Sequence, residues 1–344
     1  MRKFILIITS VIGSSFAFAQ QDPQFTQFMY NKLFMNPAYA GMKQAYCFTG
    51  IVRQQWAGMD GSPRSGVFSA DIAAPKLGGG IGLNLMYDKL GFELNERIAV
   101  DYSFHRSFKF GTFGIGAEAG LFSKVLGPTG NEQWIATTNW MNDSHIPTMI
   151  KKNVPDVGGG LWFESRRMWF GVSSTHLNAQ LVDDGTGITP PNTIHDLRYQ
   201  VARHYFITGG YTINPGQTWE FKPSFLVKSD ATITSFDLNL QAIMNDQLWG
   251  AISYRWNDAV SPMIGYQWRL SNTKSLANDV RSDNSLLLSD YVAQPIVKVG
   301  FAYDYGVSRL RNYHSGSFEL FVTYCFPYNA TLHPEGHQDV RIFD

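Results

Sequence analysis

Between Trp219 and Val227 the odd positions carry Trp219, Phe221, Pro223, Phe225 and Val227, while Glu220, Lys222, Ser224 and then Lys228 fall on the even ones. The following stretch repeats the pattern, with Phe236, Leu238, Leu240, Ala242 and Met244 set against Ser235, Asp237, Asn239 and Gln241. Successive side chains of a strand point to opposite faces, so a period of two describes a ribbon with one apolar and one polar side. Ile98, Val100, Tyr102 and Phe104 oppose Asp101, Ser103 and His105 in the same way, and Val297, Val299, Phe301, Tyr303 and Tyr305 oppose Lys298, Gly300, Ala302 and Asp304. Segments of about ten residues exceed the usual soluble strand and match the span of a tilted membrane strand.

Fourteen such segments are predicted, at 46–56, 65–74, 79–88, 95–108, 111–124, 156–164, 167–174, 198–213, 217–228, 232–245, 247–256, 259–270, 294–305 and 316–326. An even number suits a closed antiparallel outer-membrane barrel. Connections alternate in length as such a barrel requires. Those at 75–78, 109–110, 165–166, 214–216 and Asp246 are tight, and those at 125–155 and 175–197 are long. Residues 271–293 break this rule, and the expectation is a protrusion on the short-turn, periplasmic side. A β-sandwich also alternates apolar and polar residues. The apolar faces here, however, crowd aromatics toward strand ends, as in Tyr254 and Trp256 or Tyr266 and Trp268, which suits interfacial girdles.

Composition points the same way. Aromatics make up 15% of the chain and there are 32 glycines, while charged residues reach only 16%, against about 25% for ordinary soluble domains. Lys plus Arg and Asp plus Glu balance at 28 each, so nothing favours nucleic acid as a partner. Arg2 and Lys3, the apolar run from Phe4 to Ile12, and Ala17-Phe18-Ala19 read as a signal peptide over residues 1–19, with residues 20–45 and the barrel at 46–326 following. Phe326 closes the last segment on an aromatic, and 327–344 is expected to be a periplasmic tail.

Catalytic patterns are not evident. There is no G-x-S-x-G, no H-E-x-x-H and no phosphate-binding glycine loop. The clusters Gly78-Gly79-Gly80 and Gly158-Gly159-Gly160 read as turn and close-packing glycines. His105, His176 and His195 lack paired metal-ligand spacing, so no metal and no cofactor is expected. Arg53, Asp101, Asp237, Lys298, Asp304 and Glu319 fall on the polar face of their segments; inside a barrel they need partners or water, or grip something inserted there. Cys47 and Cys325 begin and end the barrel and share its inward face at one end, which leaves a seam disulfide and two unrelated small residues both open.

The segment QDPQFTQFMYNKLFMNPAYAG precedes the first strand. Asp22 as cap and Pro23 at the first helical position predict a helix start. Phe25, Phe28, Met29 and Leu33 then share a face, with Tyr30 between them, and Asn36-Pro37 ends a helix of about three turns before the loop holding Tyr39 and Gly41. The expected position is the periplasmic mouth, as a plug or a partner-docking element.

This segment, with RQQWAGMDGSPRSGVFSADIAAP, GGGIGLNLMYDKLGF and YDYGVSRLRNYHSGSFELFVTYCF, closely resembles the PorP/SprF family of type IX secretion outer-membrane proteins. The resemblance implies a Bacteroidota outer membrane and a non-enzymatic barrel of the secretion or gliding-motility machinery. It also implies partners: a secreted surface protein or adhesin, retained through its C-terminal sorting domain, and periplasmic lipoprotein or motor components. A passive porin or hydrophobic-solute channel is the alternative, since an N-terminal plug suits that as well. An outer-membrane hydrolase would need a Ser or Asp nucleophile beside a His at a strand end, and the alternation produces no such pair.

Overall fold

The computed structural model describes residues 22–127, 150–183, 198–215, 218–270 and 294–327. The expected leader at 1–19, the excursion at 271–293, His195 and the tail beyond Pro327 lie outside them.

The alternating segments form a closed fourteen-stranded antiparallel barrel. Its first seven strands are β1 (Ala45–Gln54), β2 (Arg64–Ala74), β3 (Gly79–Leu90), β4 (Glu93–Phe108), β5 (Gly111–Leu126), β6 (Ile150–Glu164) and β7 (Met168–Thr175). A separate two-stranded ribbon, β8 (Leu181–Asp183) and β9 (Arg198–Gln200), follows. The barrel resumes with β10 (His204–Tyr211), β11 (Trp219–Ser229), β12 (Thr234–Met244), β13 (Leu248–Arg255), β14 (Ala259–Arg269), β15 (Ile296–Gly306) and β16 (Ser317–Pro327). Each strand pairs with its sequence neighbour in the wall, β7 with β10 across the ribbon, and β1 closes on β16 from Ala45↔Pro327 to Gln54↔Phe318.

One predicted strand is corrected. The segment at 198–213 is split, because Val201 donates its N–H to the Gln180 carbonyl and stays buried with the ribbon, while the wall restarts at His204.

Burial follows the pleat with its usual sense reversed. Outward residues such as Val52, Ile98, Val100, Leu121, Leu161, Ile252 and Ile264 are exposed, whereas Thr49, Arg53, Asp101, Glu118, Asp237, Asp304 and Glu319 are buried. Apolar outside and polar inside is the arrangement of a wall with lipid around it. No helix among the described residues is long and apolar enough to cross a membrane. Tyr254 and Trp256 lie at the end of β13, and Tyr266 and Trp268 near the opposite rim at the end of β14. Trp256 and Trp268 project outward, as two aromatic girdles would.

The strand directions define two ends. One carries the short connections together with the start of β1 and the end of β16; the other carries the longer loops. β14 ends and β15 begins at the short-turn end, so the chain leaves and re-enters the wall there for residues 271–293. At the same end Cys47 and Cys325 face each other in register and are joined in a disulfide, so the first and last strands are covalently closed.

Candidate functional site

The N-terminal segment runs through the barrel rather than across one mouth. Asp22, Thr26 and Gln27 contact residues at the long-loop ends of β10, β16 and β15, whereas Gly41 reaches Asp71 near the short-turn end of β2. Nearly every side chain between Phe25 and Met42 is buried. The expected three-turn helix is replaced by a 3-10 turn at Phe28–Tyr30, one α-helical turn at Lys32–Met35 and a second 3-10 turn at Pro37–Tyr39. Asn31, not Asp22, caps the α turn by accepting from Phe34 N–H. The reason is competition for donors. The amides of Thr26 and Gln27, which would open a helix, donate instead to the two oxygens of Glu319 at 2.8 and 2.7 Å.

Those two bonds are part of a buried ionic knot. Arg53 contacts Asp304 at 2.5 Å and Glu319 at 3.1 Å, and Arg255 contacts Asp237 at 2.8 Å and Asp304 at 3.6 Å. The Thr26 hydroxyl sits between them, donating to Asp304 at 2.9 Å and accepting from Arg53 at 2.9 Å. Gln24 adds bonds to Ser235 and Asp237. Ionised side chains removed from water need partners and hydrogen bonds at every position, and the inserted segment supplies several of them. Of the lumen residues read from sequence, Arg53, Asp237, Asp304 and Glu319 therefore meet at one place. Asp101 lies apart, accepting from Asn84 at 2.7 Å, and Lys298 is half-buried with its amine 6.0 Å from the Tyr30 ring.

Below the knot the contacts turn aromatic. Tyr30 stacks on Phe321 at 4.0 Å and packs at a tilt against Trp249 at 5.1 Å, and its hydroxyl accepts from Gln241. The Lys32 amine lies 4.0 Å from the Trp169 ring and within 5.6 Å of Trp162 and Tyr39, an aromatic enclosure that favours a cation. Phe25 packs edge-on against Phe34, and Leu33, Phe28 and the half-buried Met29 complete the apolar contact.

The NPAYAG loop is held by its backbone. Asn36 accepts from Ala38 N–H and donates to the carbonyls of Leu161 and Val172; Ser173 donates to the Met35 carbonyl and Ser103 to that of Ala38. Pro37 opens the final 3-10 turn, and Tyr39 packs on Trp162 at 4.9 Å. Here Gly80 and Gly160 are close-packing glycines as expected, and their partner is the inserted loop. A Cβ on Gly80 would lie 2.2 Å from the Ala40 carbonyl oxygen, one on Gly116 2.3 Å from Ala38 N, and one on Gly160 2.2 Å from Asn36 Oδ1. Glycines on facing strands thus form a groove into which the loop backbone fits.

At its other end the segment meets His176, read from sequence as a histidine without a metal-ligand partner, together with His204 and Lys228, which sequence reasoning missed. Asp22 contacts His176 at 3.1 Å, lies 3.6 Å from His204 Nδ1, and uses its carbonyl to receive the Lys228 ammonium. Its backbone N–H donates to His204 Nε2 at 3.0 Å. Burial alone would raise the Asp22 carboxyl, but His204, His176 and Lys228 hold it well below the usual range. Burial would likewise depress His176, but Asp22 and Asp156, the latter at 2.7 Å, push it up to about 9. Arg97 continues the network to Asp156 and Glu118. His176 has a left-handed backbone, φ 54°, which turns it inward just past β7. His176 and His204 are far apart in sequence, and only the β7–β10 pairing brings them together. Arg255 had a usable signal: it shares the inward face of β13 with Ser253 and sits opposite Asp237.

Residues 17–324 match the family model described as type IX secretion system membrane protein PorP/SprF. No curated protein matches the sequence. Among solved structures, a FadL homologue of Pseudomonas aeruginosa is similar at 9% identity, with 89% of this chain and 95% of that one covered and a TM-score of 0.47. The CymD monoaromatic hydrocarbon channel is similar at 10% identity, covering 88% and 93%, with a TM-score of 0.44.

Proposed function

Because the chain belongs to the PorP/SprF family of type IX secretion system membrane proteins, we propose that it is a non-enzymatic outer-membrane barrel that retains a secreted surface protein and couples it to periplasmic partners. In this reading the partner is an adhesin-like protein held through its C-terminal sorting domain, and the short-turn end faces the periplasm. In the same reading residues 271–293 and the tail beyond Pro327 dock lipoprotein or motor components.

The observation carrying this reading is the occupied lumen. A segment threaded through the barrel, buried along its length and tied to the wall by ion pairs and backbone bonds, leaves little path for passive diffusion and makes a rigid platform. Affinity recovery of the tagged protein from intact outer membranes tests it. The expected result is co-purification of a surface-exposed protein and of periplasmic components, with the periplasmic set lost when residues 271–293 are deleted. Ion conduction by the reconstituted full chain, together with undisturbed surface proteins in its absence, would overturn the proposal in favour of a channel.

A further inference from the structure

The three groups that enclose the start of the threaded segment have a donor set known from metal sites. Among the described residues, Asp22, His176 and His204 bring a carboxylate oxygen and one nitrogen from each imidazole within 4.8 Å of one another. Two nitrogens and one oxygen make a borderline set that suits zinc and its neighbours rather than calcium or magnesium.

Two further observations separate this cluster from an ordinary charge pair. The first is the arrangement behind His176. Its Nδ1 is bonded to Asp156 at 2.7 Å, and Asp156 is fixed in turn by Arg97. A carboxylate on the far nitrogen sets the tautomer so that Nε2 points at Asp22, and this outer contact is general among metal-bound histidines. The second is His204. It is 2% exposed, and its Nε2 lone pair is turned to the inserted segment, accepting from the Asp22 N–H at 3.0 Å, with Nδ1 3.6 Å from the Asp22 carboxylate. A metal binds a ring nitrogen through its lone pair, so His204 offers Nε2 and keeps its proton on Nδ1. A small cavity bordered by Asp22, Asp88, Asn95, Tyr199 and His204 adjoins the cluster and can supply a water as a further ligand.

We propose that Asp22, His176 and His204 bind a divalent ion of the zinc class, which clamps the threaded segment to the β7–β10 side of the wall. The ion replaces the proton between His176 Nε2 and Asp22, which passes to solvent, and takes the place of the Asp22 N–H at His204 Nε2, with the His204 proton remaining on Nδ1. Asp22 comes from the inserted segment and the two histidines from the barrel, so the site exists only when the segment is in place. This goes beyond the retention reading and does not depend on any secretion partner.

The test uses the purified full chain in detergent. It is stripped with a chelator, reloaded with zinc or cobalt(II), freed of excess ion and analysed for metal. Wild type is expected to retain about one ion per chain, with cobalt giving the visible absorption of a nitrogen-and-oxygen site. The double variant His176→Gln, His204→Gln is expected to retain at least about tenfold less, and His105→Gln as much as wild type. Chelation is also expected to raise labelling of a cysteine placed at Pro23 in wild type, and not in the double variant. Heat-dependent gel mobility reports whether each variant keeps its barrel. Wild type retaining no more metal than a folded double variant would overturn the proposal. Should the double variant fail to fold, Asp22→Asn takes its place under the same criterion.

Discussion

Nη2 of Arg53 lies 2.5 Å from Oδ2 of Asp304 with both side chains sealed from solvent, although β16 runs between the strands that carry them. The pair reaches across the inner face of the wall, and Thr26 of the threaded segment bonds to both members. Wall and insert therefore share one buried electrostatic unit.

Arg53→Met should leave Asp304 and Glu319 with less cationic compensation in a buried place. Removing one partner of a buried ion pair costs about 3–5 kcal/mol, partly offset here by Arg255 at 3.6 Å from Asp304. The urea midpoint of the detergent-solubilised barrel is the measurement. A midpoint equal to that of wild type would show that the knot adds nothing.

Gly80→Val and Gly116→Val each place a side chain against the backbone of the NPAYAG loop, where no rotamer change can relieve the contact. Overpacking of about 1–3 kcal/mol raises the population of the unseated segment by at least about fivefold. Trypsin should then cut after Lys32 and Lys43 while the wall stays intact. Equal protection of variant and wild type would contradict the groove.

Deleting residues 22–42, with residues 1–21 kept, should convert an occupied barrel into one with a water-filled path. Planar-bilayer conductance is expected to be low for the full chain and clearly larger for the deletion. Equal conductances would show that the segment does not obstruct the lumen.

Cys47 and Cys325 should both be unreactive to thiol reagents in the mature protein unless a reductant is added. Replacing both with serine is expected to lower stability by about 2–4 kcal/mol, without opening the seam, since the β1–β16 ladder extends well beyond the bond. Free thiols in unreduced protein would refute the bridge.

The barrel was legible in the sequence because a pleat writes itself directly into period two. Ile98 to Phe104 and Phe236 to Met244 announce their lipid-facing sides without reference to any other residue, and turn lengths then order the strands. The cysteines could be placed on one face by counting, which left bonding open until their partners in register were known. The helix expected at 23–35 failed for an informative reason. Asp22-Pro23 and the spacing of Phe25, Phe28 and Leu33 describe what the segment would do alone, and the carboxylate of Glu319 takes the amides that a helix would need.

The sequence by itself determined the wall: strand number, the outward side of each strand and the aromatic rims, all set by interactions between near neighbours and the surrounding medium. Only the tertiary structure decided what the wall encloses. That His176 and His204 face Asp22, that Arg53 and Arg255 meet over Thr26, and that glycines of β3, β5 and β6 form one groove all depend on barrel closure. Closure brings residues from distant strands within a few ångströms of the segment, and no local period encodes distances of that kind.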